Sequence, residues 1–391
     1  MNMAYPRAEL TELIQELVRR VHAAAVLDVP MPLIGDRPVF LLGPNSHLGK
    51  VYGHMLASSL KNVVAVVDDV SIEETILGSP RWSGYHFAAT ASAYPGAIAL
   101  DLSVSRFASS MFAALCAQAG VERRDFVAAL GEHGLPAVYE PVSVMRTKTI
   151  EKLDRFLGLM PRLADDLSRV TLLSALLLRL TYDRNHLRHS IVTGDDEYFS
   201  SSPAGCTFRL GSDEDFCDAG AHVGTMTAKF LSATDWQYKS IHAFEPDTIN
   251  YKTLRKFCLL PLHDFRIRNL ALSDRAEVLS FSETGTMGSH VSKDGGAECR
   301  TTTLDDELES MTFLKMDVEG FEARSLQGAS RLIRKYRPRI AVTAYHYAHD
   351  LLNIVDTLES LHDGYELRLR QHYNYFYDTV LYACDKGGWP G

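Results

Sequence analysis

The chain has no Cys-x-x-Cys pair among its six cysteines. That excludes a zinc ribbon and a disulfide framework, and it suits a reducing cytosol. It has no basic excess: 40 Lys and Arg stand against 49 Asp and Glu, a formal net charge of −9. A general nucleic-acid binder is therefore disfavoured. No long hydrophobic run is present either. The most apolar stretch, Val170 to Leu180, is interrupted by Arg179 and is too short to span a bilayer. The opening residues, MNMAYPRAEL, lack a basic region followed by an apolar one, so no secretion signal is expected and the cytoplasm is the expected location. Two phosphate motifs are missing as well. There is no Gly-x-Gly-x-x-Gly, which disfavours a dinucleotide, and no Gly-x-x-x-x-Gly-Lys-Ser/Thr, which disfavours a triphosphate loop. What remains is a chain of 391 residues, 46% hydrophobic and 23% charged. This is ordinary for a globular protein and long enough for two domains with a helical connector.

The most informative stretch is Asp215-Phe216-Cys217-Asp218-Ala219-Gly220-Ala221-His222-Val223-Gly224-Thr225-Met226-Thr227. It reads as a buried strand, a glycine turn and the start of a helix. Glycines 220 and 224 let the backbone turn sharply and approach a ligand, and the amides of the helix start can hold an anionic group. One βα unit later, Ser240 to Pro246 reads as a strand ending in Glu245. A carboxylate there can accept hydrogen bonds from both hydroxyls of a ribose. Glycine turn plus ribose acid indicates a nucleoside ligand. A nucleoside carrying an amino acid, S-adenosylmethionine, fits better than a dinucleotide or a triphosphate.

In chain order, Ala8 to Val26 has helical spacing. Strands are expected at Pro38 to Gly43, Val63 to Val67 and Ala97 to Leu100, with a helix from Phe107 to Ala119, so residues 35–145 read as a small Rossmann-type domain. A nucleotide or nucleotide-sugar site is weighed there against a scaffold role, because Gly43, Gly49 and Gly53 fit neither phosphate spacing. Thr149 to His189 reads as two connector helices offset by Pro161, whose Leu stripe suits a core or a homodimer interface. From Phe216 onward strands and helices alternate. A single strand is expected at Phe265 to Leu272, a further one at Ala276 to Ser282, a central one at Thr312 to Val318, and one helix from Phe321 to Tyr336. A closing hairpin, Tyr365 to Leu369 with Thr379 to Ala383, implies an antiparallel strand near one edge of a mostly parallel sheet. The expected architecture is α/β: a Rossmann-like domain over 1–147, a helical connector over 148–190, and a second Rossmann-like domain over 191–391.

The chemistry is expected at the strand ends of this last domain. Strand alternation puts Lys315, Asp317 and Glu319 on one face, and three charges on a buried strand need a polar cleft or an ion-pair network. His346, at the end of the next strand, would lie beside Asp317 and could take a proton from an alcohol, or could instead bind substrate or cap the following helix. Ser289 and His290 lie in a loop read as covering the site. His372 belongs to a basic, aromatic cluster near the closing hairpin. No metal cage is visible in the sequence, although Asp317, Glu319 and His346 offer oxygen and nitrogen ligands.

Six blocks in this order resemble the FkbM family of methyltransferases: Asp218 to Gly224, Phe244-Glu245-Pro246, Asn269 to Ser273, Thr303-Leu304-Asp305, Leu314 to Glu322 and Asp378 to Ala383. The resemblance covers residues 190–384 and leaves 1–190 outside it. It implies a Rossmann-like methyltransferase fold that uses S-adenosylmethionine to methylate hydroxyls, often on sugars, glycans or glycosylated natural products. By motif, Asp218, Gly220, Ala221, His222, Gly224 and Thr225 would hold the methionine part, Glu245 and Pro246 the ribose, and Asn269 to Ala271 the adenine side. Asp317 and Glu319 would line the methyl-transfer region. Lys315, Ser289, His290, Tyr345 and His372 would face a small-molecule or glycan acceptor. Tyr345 stands where many members carry an acid. An N-methyltransferase and a non-catalytic nucleotide-binding scaffold are the competing readings.

Overall fold

The structure is a computed structural model that describes residues 7–27, 34–200, 202, 205–285, 290–291, 295–387 and 389. The chain divides into two units. One comprises Leu17–Glu151 and Ser174–Arg188; the other comprises Met1–Glu16, Lys152–Leu173 and His189–Gly391. The division runs through the segment expected as a connector and falls within the helix Asp166–Thr181.

The unit built from the earlier residues contains six strands: β1 (Val39–Leu42), β2 (Val63–Val67), β3 (Thr75–Ile76), β4 (Ser79–Trp82), β5 (Ile98–Asp101) and β6 (Glu122–Asp125). Their order is β3-β4-β2-β1-β5-β6, parallel except where β3 meets β4. Every residue of β1 is buried, as expected for a parallel strand covered on both faces. Phe40 packs edge-on against Phe87 and Tyr94. β4, with sequence SPRW, and β6, with sequence ERRD, carry no hydrophobic pattern that announces a strand. They lie toward the edges of the sheet, where charge and proline are tolerated.

The other unit holds β7 (Asp215–Ala219), β8 (Ser240–Phe244), β9 (Phe265–Arg268), β10 (Ala271–Leu272), β11 (Val278–Ser282), β12 (His290–Val291), β13 (Ala297–Thr302), β14 (Phe313–Met316), β15 (Arg339–Thr343), β16 (Tyr365–Gln371) and β17 (Thr379–Asp385). The main sheet runs β16-β17-β15-β14-β7-β8-β9. It is parallel from β15 to β9, and β17 runs antiparallel to both its neighbours. An aromatic core braces its centre: Phe216 stacks on Phe230 and Phe313 at 4.2 and 5.5 Å between centroids. A second sheet, β10-β13-β11-β12, stands apart.

Two expected elements are broken. The strand Phe265–Leu272 is two strands in different sheets, because the Asn269 side chain donates to the carbonyls of Glu245 and Pro246, at 2.9 and 2.8 Å. The helix expected over 321–336 is two, Glu322–Gln327 and Ser330–Tyr336. Gly328 lies between them, against the Ser273 carbonyl, where a Cβ would come within 2.0 Å of the oxygen. Among the described residues no helix is long and apolar enough to cross a membrane.

Candidate active site

After β7 the chain goes to β8 and β9 on one side, and β14 and β15 fill the other. The order thus reverses between β7 and β14, and a crevice opens at their carboxyl ends. The glycine turn lies there. The amides of Gly220 and Ala221 both donate to the Phe244 carbonyl, at 3.0 and 2.9 Å, tying the turn to the end of β8. Gly220 has φ +75°, and a Cβ there would lie 1.7 Å from the Asp317 carbonyl oxygen. The glycine is therefore what lets β7 and β14 leave the sheet side by side. Gly224, φ +93°, begins the helix Thr225–Ala233, and a Cβ there would strike the Phe257 ring.

Glu245 meets this turn from β8. Its Oε2 accepts the His222 amide at 2.7 Å, and its Oε1 accepts the Asp247 amide at 2.9 Å. Burial pushes its carboxyl up to about 7 against those two hydrogen bonds. Each oxygen keeps a further lone pair for a ligand donor. Beside it opens a cavity of about 420 Å³ lined by Pro246, Thr248, Asn269, Leu270, Phe281, Glu298, Cys299 and Arg300, among others. That volume lies in the range of small-molecule sites.

Asp218 and Lys315 form the floor. They are register partners across β7 and β14, and both are buried. Asp218 pairs with Lys315 Nζ at 3.2 Å and accepts the Thr227 hydroxyl at 2.8 Å. Lys315 also donates to the Gly220 carbonyl at 2.6 Å. Lys315, expected to face an acceptor, is instead spent on the turn. The expected alternation of Lys315, Asp317 and Glu319 on one face stops because β14 ends at Met316. Beyond it the backbone turns, with Glu319 at φ +57° and Gly320 at φ +92°.

That turn gathers the acidic residues around one imidazole. Nε2 of His346 lies 3.0 Å from Glu319 Oε2 and 3.5 Å from Asp317 Oδ1, and its Nδ1 lies 3.3 Å from Glu322 Oε1. His346 is fully buried, whereas the side chains of Asp317 and Glu319 are each 23% exposed. Burial disfavours charge on His346, but Glu322 and Glu319 outweigh it and raise the imidazole well above its usual value. Burial likewise opposes charge on Glu322, yet His346 holds its carboxyl below the usual range. His346 is thus beside Asp317 as expected, and the surrounding carboxylates favour its protonated form, which works against the role of proton acceptor. Asp317 is steered by two hydroxyls: Tyr198 donates to Oδ2 and Thr343 to Oδ1, each at 3.1 Å.

The remaining expected residues scatter. Thr225 is exposed at the helix start, and Ala271 is buried with Phe281 and Cys299 in the small sheet. Tyr345 is buried, its ring 4.3 Å from that of His346. His372 is held between the Thr193 carbonyl and the Tyr382 hydroxyl, and burial drives it down to about 4. His290 sits on β12, and Ser289 lies outside the described residues. Sequence reasoning gave no role to Tyr198, Thr343 or Glu322. Tyr198 lies in a stretch without period, so nothing marked it. Glu322 stood in the Leu314–Glu322 block, where its distance from Asp317 hid that the intervening turn folds it back.

With this geometry in hand, the comparisons are specific. Residues 218–376 match the model of the methyltransferase FkbM domain. The crystal structure of methyltransferase FkbM from Methylobacillus flagellatus KT is similar over 96% of this chain and 100% of that one, at 24% identity and a TM-score of 0.79. It shares the fold along nearly the whole chain. Aeropyrum pernix fibrillarin, solved with natively bound S-adenosyl-L-methionine, aligns with 46% of this chain and 69% of its own at 10% identity and a TM-score of 0.30. A methyltransferase structure from Thermoplasma acidophilum aligns with 47% and 72% at 12% identity and a TM-score of 0.29. These two likenesses carry no weight. No curated protein matches the chain. The glycine turn, Glu245 and the acidic end of β14 all fall within the span that matches the methyltransferase FkbM domain model, residues 218–376.

Proposed function

We propose that the protein is an S-adenosylmethionine-dependent methyltransferase acting on a hydroxyl, with a sugar, glycan precursor or glycosylated natural product as the acceptor class. The observation that carries this reading is the convergence of three strand ends at the reversal of the sheet. There the glycine turn of β7 is bonded to the end of β8, Glu245 receives the His222 amide, and the Gly220 turn rests on Asp317.

When bound, S-adenosylmethionine supplies a methyl group whose carbon–sulfur bond breaks toward an acceptor oxygen, the electron pair staying on sulfur. The protein holds that geometry and handles the proton. Glu245 would accept the ribose hydroxyls, Pro246 and Asn269 would border the adenine in the cavity beside them, and the amides of the 220–224 turn would face the amino-acid portion. Asp317 would receive the hydroxyl proton. It is partly exposed and is oriented by Tyr198 and Thr343, which supports the role of a fixed proton acceptor. His346 would keep Glu319 and Asp317 in place and act as a positioning residue.

Methyl transfer from labelled cofactor to a panel of sugars and their amino analogues, read by mass spectrometry, tests the reading. Label on a hydroxyl supports it. Label on nitrogen only would make this an N-methyltransferase, and cofactor binding without transfer to any acceptor would favour the scaffold alternative.

A further inference from the structure

Three carboxylates gather around one imidazole at the proposed transfer site. Asp317, Glu319 and Glu322 all reach His346. Among the described residues no donor reaches Oε2 of Glu322, although that oxygen is buried.

The arrangement is also directional. The Nε2 side of the ring faces Asp317 and Glu319, the two partly exposed acids, while the Nδ1 side faces Glu322, which is 1% exposed. A histidine that binds a metal almost always offers one nitrogen to the ion and its other N–H to a carboxylate. One ligand atom from each of Asp317, Glu319 and His346 lies within 4.8 Å of the others. Adjacent ligands of a six-coordinate ion with bonds near 2.1 Å stand about 3 Å apart, and the distances from Nε2 to Glu319 and Asp317 are 3.0 and 3.5 Å.

We propose that Asp317 Oδ1, Glu319 Oε2 and His346 Nε2 form a binding site for a divalent cation of the Mg²⁺/Mn²⁺ class. Two oxygens and one imidazole nitrogen suit that class better than the thiol-rich sets of soft metals. Three protein ligands leave positions open toward the crevice, where an acceptor hydroxyl would enter. Binding displaces the Nε2 proton to solvent. Asp317 Oδ2, on the Tyr198 hydroxyl, stays available for the proton of the acceptor. This deepens the proposed hydroxyl chemistry and rests on that reading for its catalytic purpose, but metal binding itself does not require the cofactor.

The test is Mn²⁺ titration of the full chain without cofactor, followed by electron paramagnetic resonance, alongside calorimetry with S-adenosylmethionine. The expected result is one tightly held Mn²⁺ whose spin-echo spectrum shows a coordinated nitrogen. Glu319→Gln should raise the Mn²⁺ dissociation constant about tenfold or more, whereas Glu309→Gln, at an exposed position, should leave it unchanged. The nitrogen signature comes from the unsubstituted protein, so it decides the matter even if Glu319→Gln does not fold. No bound Mn²⁺, or bound Mn²⁺ without nitrogen, overturns the site. If the cofactor binds while Mn²⁺ does not, the metal inference fails and the methyltransferase reading stands. If Mn²⁺ binds with its nitrogen signature and the cofactor does not, the reverse holds.

Discussion

Two parallel sheets in this molecule have the same plan and treat their strand ends differently. Each has a glycine turn after a central strand and an acid after the neighbouring one. In the earlier unit the acids bond to their own loops and, at Asp101, to an arginine. Asp68 accepts the amides of Val70 and Ser71, and Asp69 accepts that of Gly84. Asp101 is bonded to Ser103 and Ser109 and paired with Arg123. Burial pushes Asp101 up, but Ser103 and Arg184 help hold it below the usual carboxylate value. Even Gly43 makes room for a side chain, the Phe112 ring, where a Cβ would come within 2.5 Å. In the later unit the glycine makes room for backbone, the Asp317 carbonyl, and Asp317 and Glu319 keep partly exposed side chains beside His346. Shared topology therefore says little about chemistry; what differs is what the strand tips gather, an arginine on buried Asp101 in one sheet and two partly exposed acids beside His346 in the other.

Four substitutions break or sharpen that contrast. The largest effect is expected from Gly220→Ala, whose new Cβ meets a carbonyl at 1.7 Å from a backbone at φ +75°. It should cost about 4 kcal/mol or more in denaturant unfolding and abolish cofactor binding; a normal unfolding curve would mean the two strand exits are not so closely packed. Next comes Asp317→Asn. Turnover should fall by about a hundredfold to ten-thousandfold with a far smaller change in cofactor affinity, and a variant with full turnover would remove Asp317 from the proton's path. Glu245→Gln is expected to raise the cofactor dissociation constant by about ten- to a hundredfold, while Asp68→Asn in the other unit leaves it unchanged. Equal effects of the two would erase the distinction between the sheets. The smallest change is structural. Asp165 pairs with Arg370 at 2.6 Å, and although burial opposes its charge, that arginine holds its carboxyl down at about 2. A folded value below the unfolded one contributes stability above about pH 4 that is lost as pH falls toward 2. Asp165→Ala should therefore cost roughly 2 kcal/mol at pH 7 and much less near pH 2, as urea midpoints at the two pH values would reveal.

Much of the later unit was legible because buried parallel strands are short apolar runs and glycine turns punctuate them. Asp218, Gly220, Glu245 and Asp317 stand out by position alone. Charged or polar strands such as β4, β6 and β13 were not legible, since their pairing is set by tertiary neighbours and not by pattern. The carboxylate surroundings of His346 were hidden for a similar reason. They include Glu322, which comes back to the ring only because Glu319 and Gly320 take positive φ. Period-two alternation could not be carried past the end of β14 at Met316, so it did not place Asp317 and Glu319, and it did not show which neighbour Lys315 meets. Its true partner, Asp218, sits on the next strand in register.

The central claim is that the tips of β7 and β8 together hold an adenosine-bearing cofactor. Calorimetric titration of S-adenosylmethionine into the full chain tests it most directly. One equivalent should bind, with affinity lowered by Glu245→Gln and indifferent to Asp68→Asn. No binding to the unsubstituted protein, or binding that survives Glu245→Gln and is lost in Asp68→Asn, would contradict it.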